Sequence, residues 1–238
     1  MKYTLPALLL LFFLASCDDD DTITGSGNLV DVPYEFTGFS TVEASHGFSV
    51  TITHSDTSIV TVTADDNVTD LLEVTQAGGT IYFGVKEGSN LKEATLRAEV
   101  MMPEFEALRV SSGAMVTIDG DFPDIDSFDA DIESGAKVSG GSLQTTMMEW
   151  DVSAGSSVKL GGASPTGLFK VEGGSTFDLR DHELFDCTLD ASGGSTVYVN
   201  VSGTLNVNAS GGAQVFYTGE PTLGDINVSG GATLKILE

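Results

Sequence analysis

The sequence predicts an all-β chain wound as a β-solenoid with coils of about 20 residues, and three observations carry that prediction. The first is a recurrence. Ser-Gly-Ala-Met-Val at 112–116 returns as Ser-Gly-Ala-Lys-Val, Ala-Gly-Ser-Ser-Val, Gly-Gly-Ser-Thr-Phe, Gly-Gly-Ser-Thr-Val, Gly-Gly-Ala-Gln-Val and, at 230–234, Gly-Gly-Ala-Thr-Leu. The marker glycines are Gly113, Gly135, Gly155, Gly174, Gly194, Gly212 and Gly231, spaced by 22, 20, 19, 20, 18 and 19 residues. The second observation is alternation. Apolar residues stand three and five positions before each marker (Val110 and Leu108, Val152 and Trp150, Val171 and Phe169) and after it (Val116 and Ile118, Val197 and Val199). Period two is the pattern of a strand with one buried face. The third is a match of outward positions. Four residues before each marker the series runs Arg109, Asp131, Asp151, Lys170, Asp190, Asn208, Asn227.

Each repeat therefore reads as a short strand, a tight glycine corner and a second strand. A small residue always follows the marker (Ala114, Ala136, Ser156, Ser175, Ser195, Ala213, Ala232), as close backbone stacking at a corner requires. One unit cannot bury its apolar face alone; stacked units can. The rival architecture is a meander of hairpins in a sandwich, which turn signals every 8–12 residues would also suit. Equivalent positions matching from coil to coil favour the solenoid. Stacking puts Arg109 beside Asp131, Lys170 between Asp151 and Asp190, and Asn208 over Asn227, where an amide ladder would form. It also sets Asp131 beside Asp151, an unfavourable pair unless screened or bound to a cation.

From the N-terminus, residues 1–16 read as a signal segment: a positive start at Lys2, then an apolar run from Leu5 to Leu14 too short to span a bilayer. Leu14-Ala15-Ser16-Cys17 resembles a lipobox, which makes Cys17 the lipidated first residue and the membrane the first partner. Residues 17–33, with Asp18 to Asp21 and Gly25-Ser26-Gly27, read as an acidic, flexible tether. The acidic run also resembles the export signal of Bacteroidetes surface lipoproteins. Together these features predict an outer-membrane lipoprotein displayed at the surface.

Residues 34–110 are β-rich without following the repeat, whereas 111–238 are regular. Strands are expected at 40–44, 48–54, 58–64, 80–85 and 95–101 from alternation and Thr/Val/Ile content. A short helical turn fits 65–74, with Asp65, Asp66 or Asn67 as its cap. Gly78-Gly79 marks a hairpin, and 87–93 a polar loop. This part is either the start of the same solenoid in less regular form or a cap upon it, since terminal units must hide their sheet edges.

The order Phe39-Ser40-Thr41-Val42, Gly47-Phe48-Ser49-Val50-Thr51-Ile52, Val60 to Asn67, Gly79-Thr80-Ile81-Tyr82-Phe83 and then the glycine corners resembles the auto-transporter adhesin head (GIN) domain family across 34–238. The resemblance implies one domain, a right-handed parallel β-helix-like solenoid on a bacterial surface lipoprotein, and adhesion. It brings no catalytic residues.

The chain carries 10 Lys and Arg against 35 Asp and Glu, for a net charge of −25. That balance argues against nucleic acid and against charge-driven docking on an anionic membrane. With Cys17 taken by lipid, Cys187 has no partner; sharing the parity of Phe185 and Leu189, it reads as a small core residue. The densest acidic stretch holds Asp119, Asp121, Asp124, Asp126, Asp129 and Asp131. Alternate carboxylates on one strand face would suit Ca²⁺, the one cofactor entertained, although the spacing is not that of an EF-hand. The plainer reading is a solvated outward face. His46, His54 and His182 have no metal-ligand spacing, and no local motif places a Ser/His/Asp set.

Two functions suit these features. The first is a non-enzymatic, adhesin-like or scaffolding envelope lipoprotein whose protein or glycan partner is open; a sensory or assembly role in the envelope falls beside it. The second is a carbohydrate-active β-helix enzyme using Asp129, Asp131 and Asp151. A groove lined by two or more carboxylates together with exposed aromatics would mark the enzyme.

Overall fold

A computed structural model describes residues 22–237, 67% of the chain being strand. Cys17 and Asp18 to Asp21 lie outside the described residues. The strands are β1 (Thr22–Thr24), β2 (Leu29–Tyr34), β3 (Thr41–Ala44), β4 (Ser49–His54), β5 (Ile59–Asp65), β6 (Leu72–Ala77), β7 (Thr80–Val85), β8 (Asn90–Lys92), β9 (Leu96–Met102) and β10 (Ala107–Val110). They continue as β11 (Met115–Ile132), β12 (Lys137–Val152), β13 (Ser157–Val171), β14 (Thr176–Ala191), β15 (Thr196–Val201), β16 (Thr204–Ala209), β17 (Gln214–Thr218), β18 (Thr222–Val228) and β19 (Thr233–Ile236). They form a β-solenoid of about six turns with coils of about 20 residues.

The seven glycine corners are tight turns that stack. In the first, Ser112 and Gly113 both have positive φ, 51° and 72°, and the Ala114 amide donates to the Ser111 carbonyl at 3.0 Å. Two consecutive positive φ values define a turn that glycine enters at no steric cost. Each marker amide then bonds to the next coil: Gly113 to Ser134, Gly135 to Ala154, Gly155 to Gly173, and so on to Gly212 with Gly230, at 3.0 Å throughout. The parallel ladder thus runs unbroken through the corner. The residues after the first six markers are buried and Ala232 after the last is half-buried; where they are serine their hydroxyls are satisfied, Ser156 by the Ser153 carbonyl and Ser175 by that of Glu172.

In β11 to β14 the chain runs from one corner to the next as a single strand of 15–18 residues, rather than as two short strands. A second bend lies inside each, marked by register shifts at Ile118/Asp121, Gly140/Ser142, Lys159/Gly161 and Leu179/Glu183. In the last turns the bend opens into a true break, between β15 and β16 and between β17 and β18. Glycine is required at this bend for a different reason. A Cβ on Gly140 would lie 2.3 Å from the Ile118 carbonyl oxygen, and one on Gly162 2.0 Å from that of Leu143.

The column has two flat sides. One is built from β4, the early parts of β11 to β14, then β15, β17 and β19; the other from β3, β10, the late parts of β11 to β14, then β16 and β18. The interior between them is filled by aromatic side chains in near contact, Phe105, Phe128, Trp150, Phe177 and Phe169, with ring centroids 4.8–5.8 Å apart. Cys187 is buried there, and burial pushes its thiol up to about 12. Phe185, which shares its parity in the sequence, is 60% exposed instead. The irregularity after Leu179 rotates that stretch of β14.

The less regular N-terminal part is both a continuation of the column and its cap. Ser45-His46-Gly47-Phe48 is an eighth corner of the same kind, with φ 56° at His46 and 73° at Gly47, and its Gly47 amide bonds to the Ser112 carbonyl. Strands β3 and β4 on either side stack on β10 and β11 in parallel. The chain then steps over this coil: β7 and β9 stack in parallel on the far side of β3 and β4. Antiparallel strands close the end, β5 on β9, β2 on β5 and β6 on β7, and a 3-10 turn at Asp66–Leu71 buries Val68 completely. The described part of the expected 17–33 tether is strand at both ends of a short link: β1 pairs with β8, itself inside the expected polar loop, and β2 pairs with β5. The alternation in Leu29-Val30-Asp31-Val32 supplies the apolar residues that make β2 a strand.

Candidate functional site

A shallow concavity of about 560 Å³ lies on the side built from β10 and the late parts of β11 to β14. Its floor is set by the register foreseen from the repeat: Arg109 beside Asp131, Asp131 beside Asp151, Asp151 beside Lys170, Lys170 beside Asp190. A second row two residues earlier adds Asp129 beside Glu149. Every one of these side chains points outward because Leu108, Ala130, Trp150, Phe169 and Leu189, alternating with them, fill the interior.

The direct ion pairs differ from those that neighbouring coils alone would give. Arg109 reaches diagonally to Asp129 at 3.1 Å rather than straight across to Asp131. Lys170 bonds to Asp151 and to Glu172 just past the end of β13, both at 3.1 Å, and not to Asp190. Asp190 instead accepts from the Asn208 amide at 2.8 Å, so Asn208 is drawn toward the carboxylate rather than into a ladder with Asn227. Asp131 is left with like charge beside it. Partial desolvation by the crowded side chains around it, and then the Asp151 carboxylate, raise its pKa above the usual aspartate range, although Asp131 itself is exposed. All these pairs are solvent-exposed, so each contributes under about 1 kcal/mol. Their role is to hold a patterned, strongly acidic surface.

The six aspartates of the acidic stretch do not share one face. Asp119 pairs across to Thr53 on the first side of the column, Asp121 to Asp126 ride the second bend, and Asp129 and Asp131 lie on the other side. Asp124 and Asp126 already have the opposite parity to the other four, and the bend, with Asp124 at φ 56°, carries Asp129 and Asp131 round to the other side. All six are exposed, and among the described residues no group of three or more His, Cys, Asp or Glu is arranged to hold a metal. The three candidate carboxylates of an enzyme, Asp129, Asp131 and Asp151, do fall together. The aromatic platform a sugar-cleaving groove needs does not join them. Tyr198 and Phe216 stack with centroids 5.0 Å apart, with the Arg180 guanidinium 4.6 Å over Tyr198, but on the opposite side of the column.

One constellation was not legible from the sequence. The Thr145 and Ser164 hydroxyls meet, Ser164 Oγ lies 2.8 Å from His182 Nε2, and His182 Nδ1 lies 3.0 Å from the Gly161 carbonyl oxygen. The carbonyl accepts only from an N–H, so the proton sits on Nδ1 and Nε2 accepts from Ser164. Burial lowers the imidazole's pKa and keeps it neutral. Ser164 is 2% and His182 0% exposed, and a backbone carbonyl stands where a catalytic triad has its acid. This is an internal polar ladder that satisfies groups the second bend buries.

Solved structures share the fold at good overlap, and three illustrate the range. A "putative adhesin" from Bacteroides fragilis NCTC 9343 superimposes with a TM-score of 0.85 at 16% identity, covering 90% of this chain and 100% of that one. A "putative lipid binding protein" from Parabacteroides distasonis ATCC 8503 gives 0.70 at 16% identity over 91% of this chain and 100% of the other. A "putative adhesin" from Parabacteroides merdae ATCC 43184 gives 0.69 at 12% identity over 92% and 100%. A search of curated proteins finds no match. The sequence itself matches the family described as "putative auto-transporter adhesin, head GIN domain" over residues 38–221, and the chain belongs to that family.

Proposed function

We propose that this protein is a non-enzymatic, adhesin-like module of the bacterial cell surface, a lipoprotein held in the outer membrane through Cys17. It binds its partner, a protein or glycan surface bearing positive charge, by the acidic side of the column. The observation that carries the reading is the double row Asp129–Glu149 and Asp131–Asp151–Lys170–Asp190, held in register by the coils beneath on a broad, shallow surface. Such a surface offers long-range attraction and many weak contacts rather than an enclosed reaction site. Membership of an adhesin-head family supports it. The separation of carboxylates from exposed aromatics weighs against a sugar-cleaving groove.

Surface protease accessibility on intact cells tests the display, with Cys17→Ala as control. Digestion of the wild type without lysis, and its loss from the surface in the control, is the expected result. Protection until lysis overturns it.

A further inference from the structure

The side of the column opposite the acidic rows carries side chains that neither the core nor the coil register calls for. One outward row there runs Thr117, Ser139, Lys159, Asp178, Tyr198, Phe216, one residue per coil. In its last two members aromatic rings stand where small or charged side chains stood before. Val197, Val199 and Val215, alternating with them, fill the interior, so the rings face water. Both are half-buried, and they stack with their planes 14° apart. Arg180 is fixed beside them. Its Nε–H and one Nη–H donate to the two carboxylate oxygens of Asp178, at 2.9 and 2.6 Å, and its guanidinium lies over Tyr198. Three of the five guanidinium N–H groups point away from Asp178. Two of them form a second planar fork, the geometry that takes a carboxylate end-on. Asp178 and Tyr198 set the arginine rotamer in advance, which lowers the ordering cost of binding.

Charge and size narrow what this surface takes. On this side of β11 to β15 and β17 the outward cations are Lys137, Lys159 and Arg180, on three successive coils, against Asp119 and Asp178. The acids that border the strip, Asp181 and Glu183, lie on the second bend, and Asp181 reaches Lys159 at 3.8 Å. The strip is thus close to balanced in a chain at −25, and a single anionic group can approach it. Two rings are too little apolar surface for a protein interface, which needs roughly 800 Å² per partner around an apolar centre. The outward residues beside them, Thr196, Asn200, Gln214 and Thr218, are polar. Ring-sized apolar surface bordered by groups that both donate and accept suits the face of a sugar, whose C–H groups pack on aromatic carbon while its hydroxyls pair with amides. The arginine fork adds a carboxylate to that description. The net charge repels a densely charged polymer at long range, so the acid is one sugar among neutral ones.

We propose that Tyr198, Phe216 and Arg180 form a binding site for a glycan that carries an isolated sugar carboxylate, a uronic or sialic acid. One sugar ring packs against the Tyr198–Phe216 pair, and the carboxylate takes the free fork of Arg180. Binding is non-covalent, and the carboxylate stays ionised throughout. The site is separate from the acidic side and stands whether or not that side takes a positively charged partner.

A glycan array tests it, holding oligosaccharides of glucuronate, galacturonate and N-acetylneuraminate, each beside its neutral counterpart. The full chain is applied in a nonionic detergent with EDTA, which removes bridging cations. At least one carboxylated member should bind about tenfold or more above its neutral counterpart. Calorimetry on that oligosaccharide then reads two variants, with circular dichroism as the check on folding. Phe216→Ser leaves the Arg180–Asp178 pair in place and should weaken binding about tenfold or more. Arg180→Lys keeps the charge but loses the fork, and should weaken it by a similar factor. Where Arg180→Lys loosens the coil, Phe216→Ser alone decides. The proposal is overturned if no carboxylated member binds above its neutral counterpart, if binding is indifferent to the substitutions, or if an acidic peptide of equal charge binds as tightly as the glycan. None of these outcomes bears on display at the cell surface, which the protease experiment reads separately.

Discussion

The N-terminal and C-terminal ends solve the same problem in opposite ways. Any solenoid ends in a sheet edge and an open core. At the N-terminal end, antiparallel strands turn across the last coil, β5 and β2 on one side and β6 on the other, while the 3-10 turn sets Val68 into the opening. Asp65, almost fully buried, ties this cap together. Its carboxylate accepts from the Gly27 and Thr95 amides, both at 2.6 Å. At the other end of the described residues β18 and β19 continue the regular parallel stack, with no antiparallel strand across them. The difference teaches that a regular repeat gives no cap of its own. A cap needs residues that break the period, and only the first seventy or so described residues supply them.

The largest effect is expected where the column is pinned from both sides. Gly162→Ala drives a Cβ into the Leu143 carbonyl with coils above and below, and should cost about 3 kcal/mol or more of unfolding free energy in urea. Gly219→Ala makes a similar clash, 2.2 Å from the Val201 carbonyl, but in the last turn, which is free to shift outward. It should cost less than half as much. Equal losses would show that the last described turn is as tightly held as the middle.

The caps themselves give the next contrast. Val68→Ala empties a fully buried site in the N-terminal cap and should cost about 2 kcal/mol. Val228→Ala removes the same atoms from a half-exposed site, and should cost under about 0.5 kcal/mol. Acid sharpens the same comparison. Amide hydrogen bonds hold the Asp65 carboxyl below the usual aspartate range. Its contribution is therefore present at pH values above the unfolded-chain value near 3.9 and is lost as pH falls through the lower folded value. Hydrogen exchange at decreasing pH should open β2 and β5 first, and Asp65→Asn should open them already at neutral pH.

His182 acts higher on the pH scale. Its folded pKa lies below the unfolded value near 6.5, so the folded state binds fewer protons. Stability should fall as pH drops below about 6.5, and His182→Gln, which keeps a partner for Ser164, should flatten that slope. The smallest effect belongs to the acidic side. Asp131 has a raised pKa, so at neutral pH it opposes folding slightly, and Asp131→Asn should gain about 0.5 kcal/mol or less once solvent screening is counted. A loss there would mean that Asp131 carries a stabilising contact the register does not reveal.

Much of the column was legible in the sequence because its corners are sterically exacting. Each needs two positive φ values, and that need writes glycine and small residues at a fixed spacing. The outward register from Arg109 to Asn227 followed directly. What escaped has physical reasons. The His46-Gly47 corner stands 66 residues before Gly113 because β5 to β9 intervene, so it broke the period that revealed the others. The second bend is spelled differently in every coil (Gly120, Gly140-Gly141, Gly162, Ser202-Gly203), and it was there that Phe185 turned outward and the Asp119–Asp131 row was split. The diagonal pairing of Arg109 depends on a rotamer, which strand register does not encode.

The described chain begins at the capped end, where β1 lies against β8, and β18 and β19 lie at the other, some 30 Å away for about six turns at 4.8 Å each. On the anchoring proposed at Cys17, the capped end stands nearest the membrane. The row from Arg109 to Asp190 climbs the column one coil at a time, so its charges would be offered at successive heights above the membrane rather than all at one.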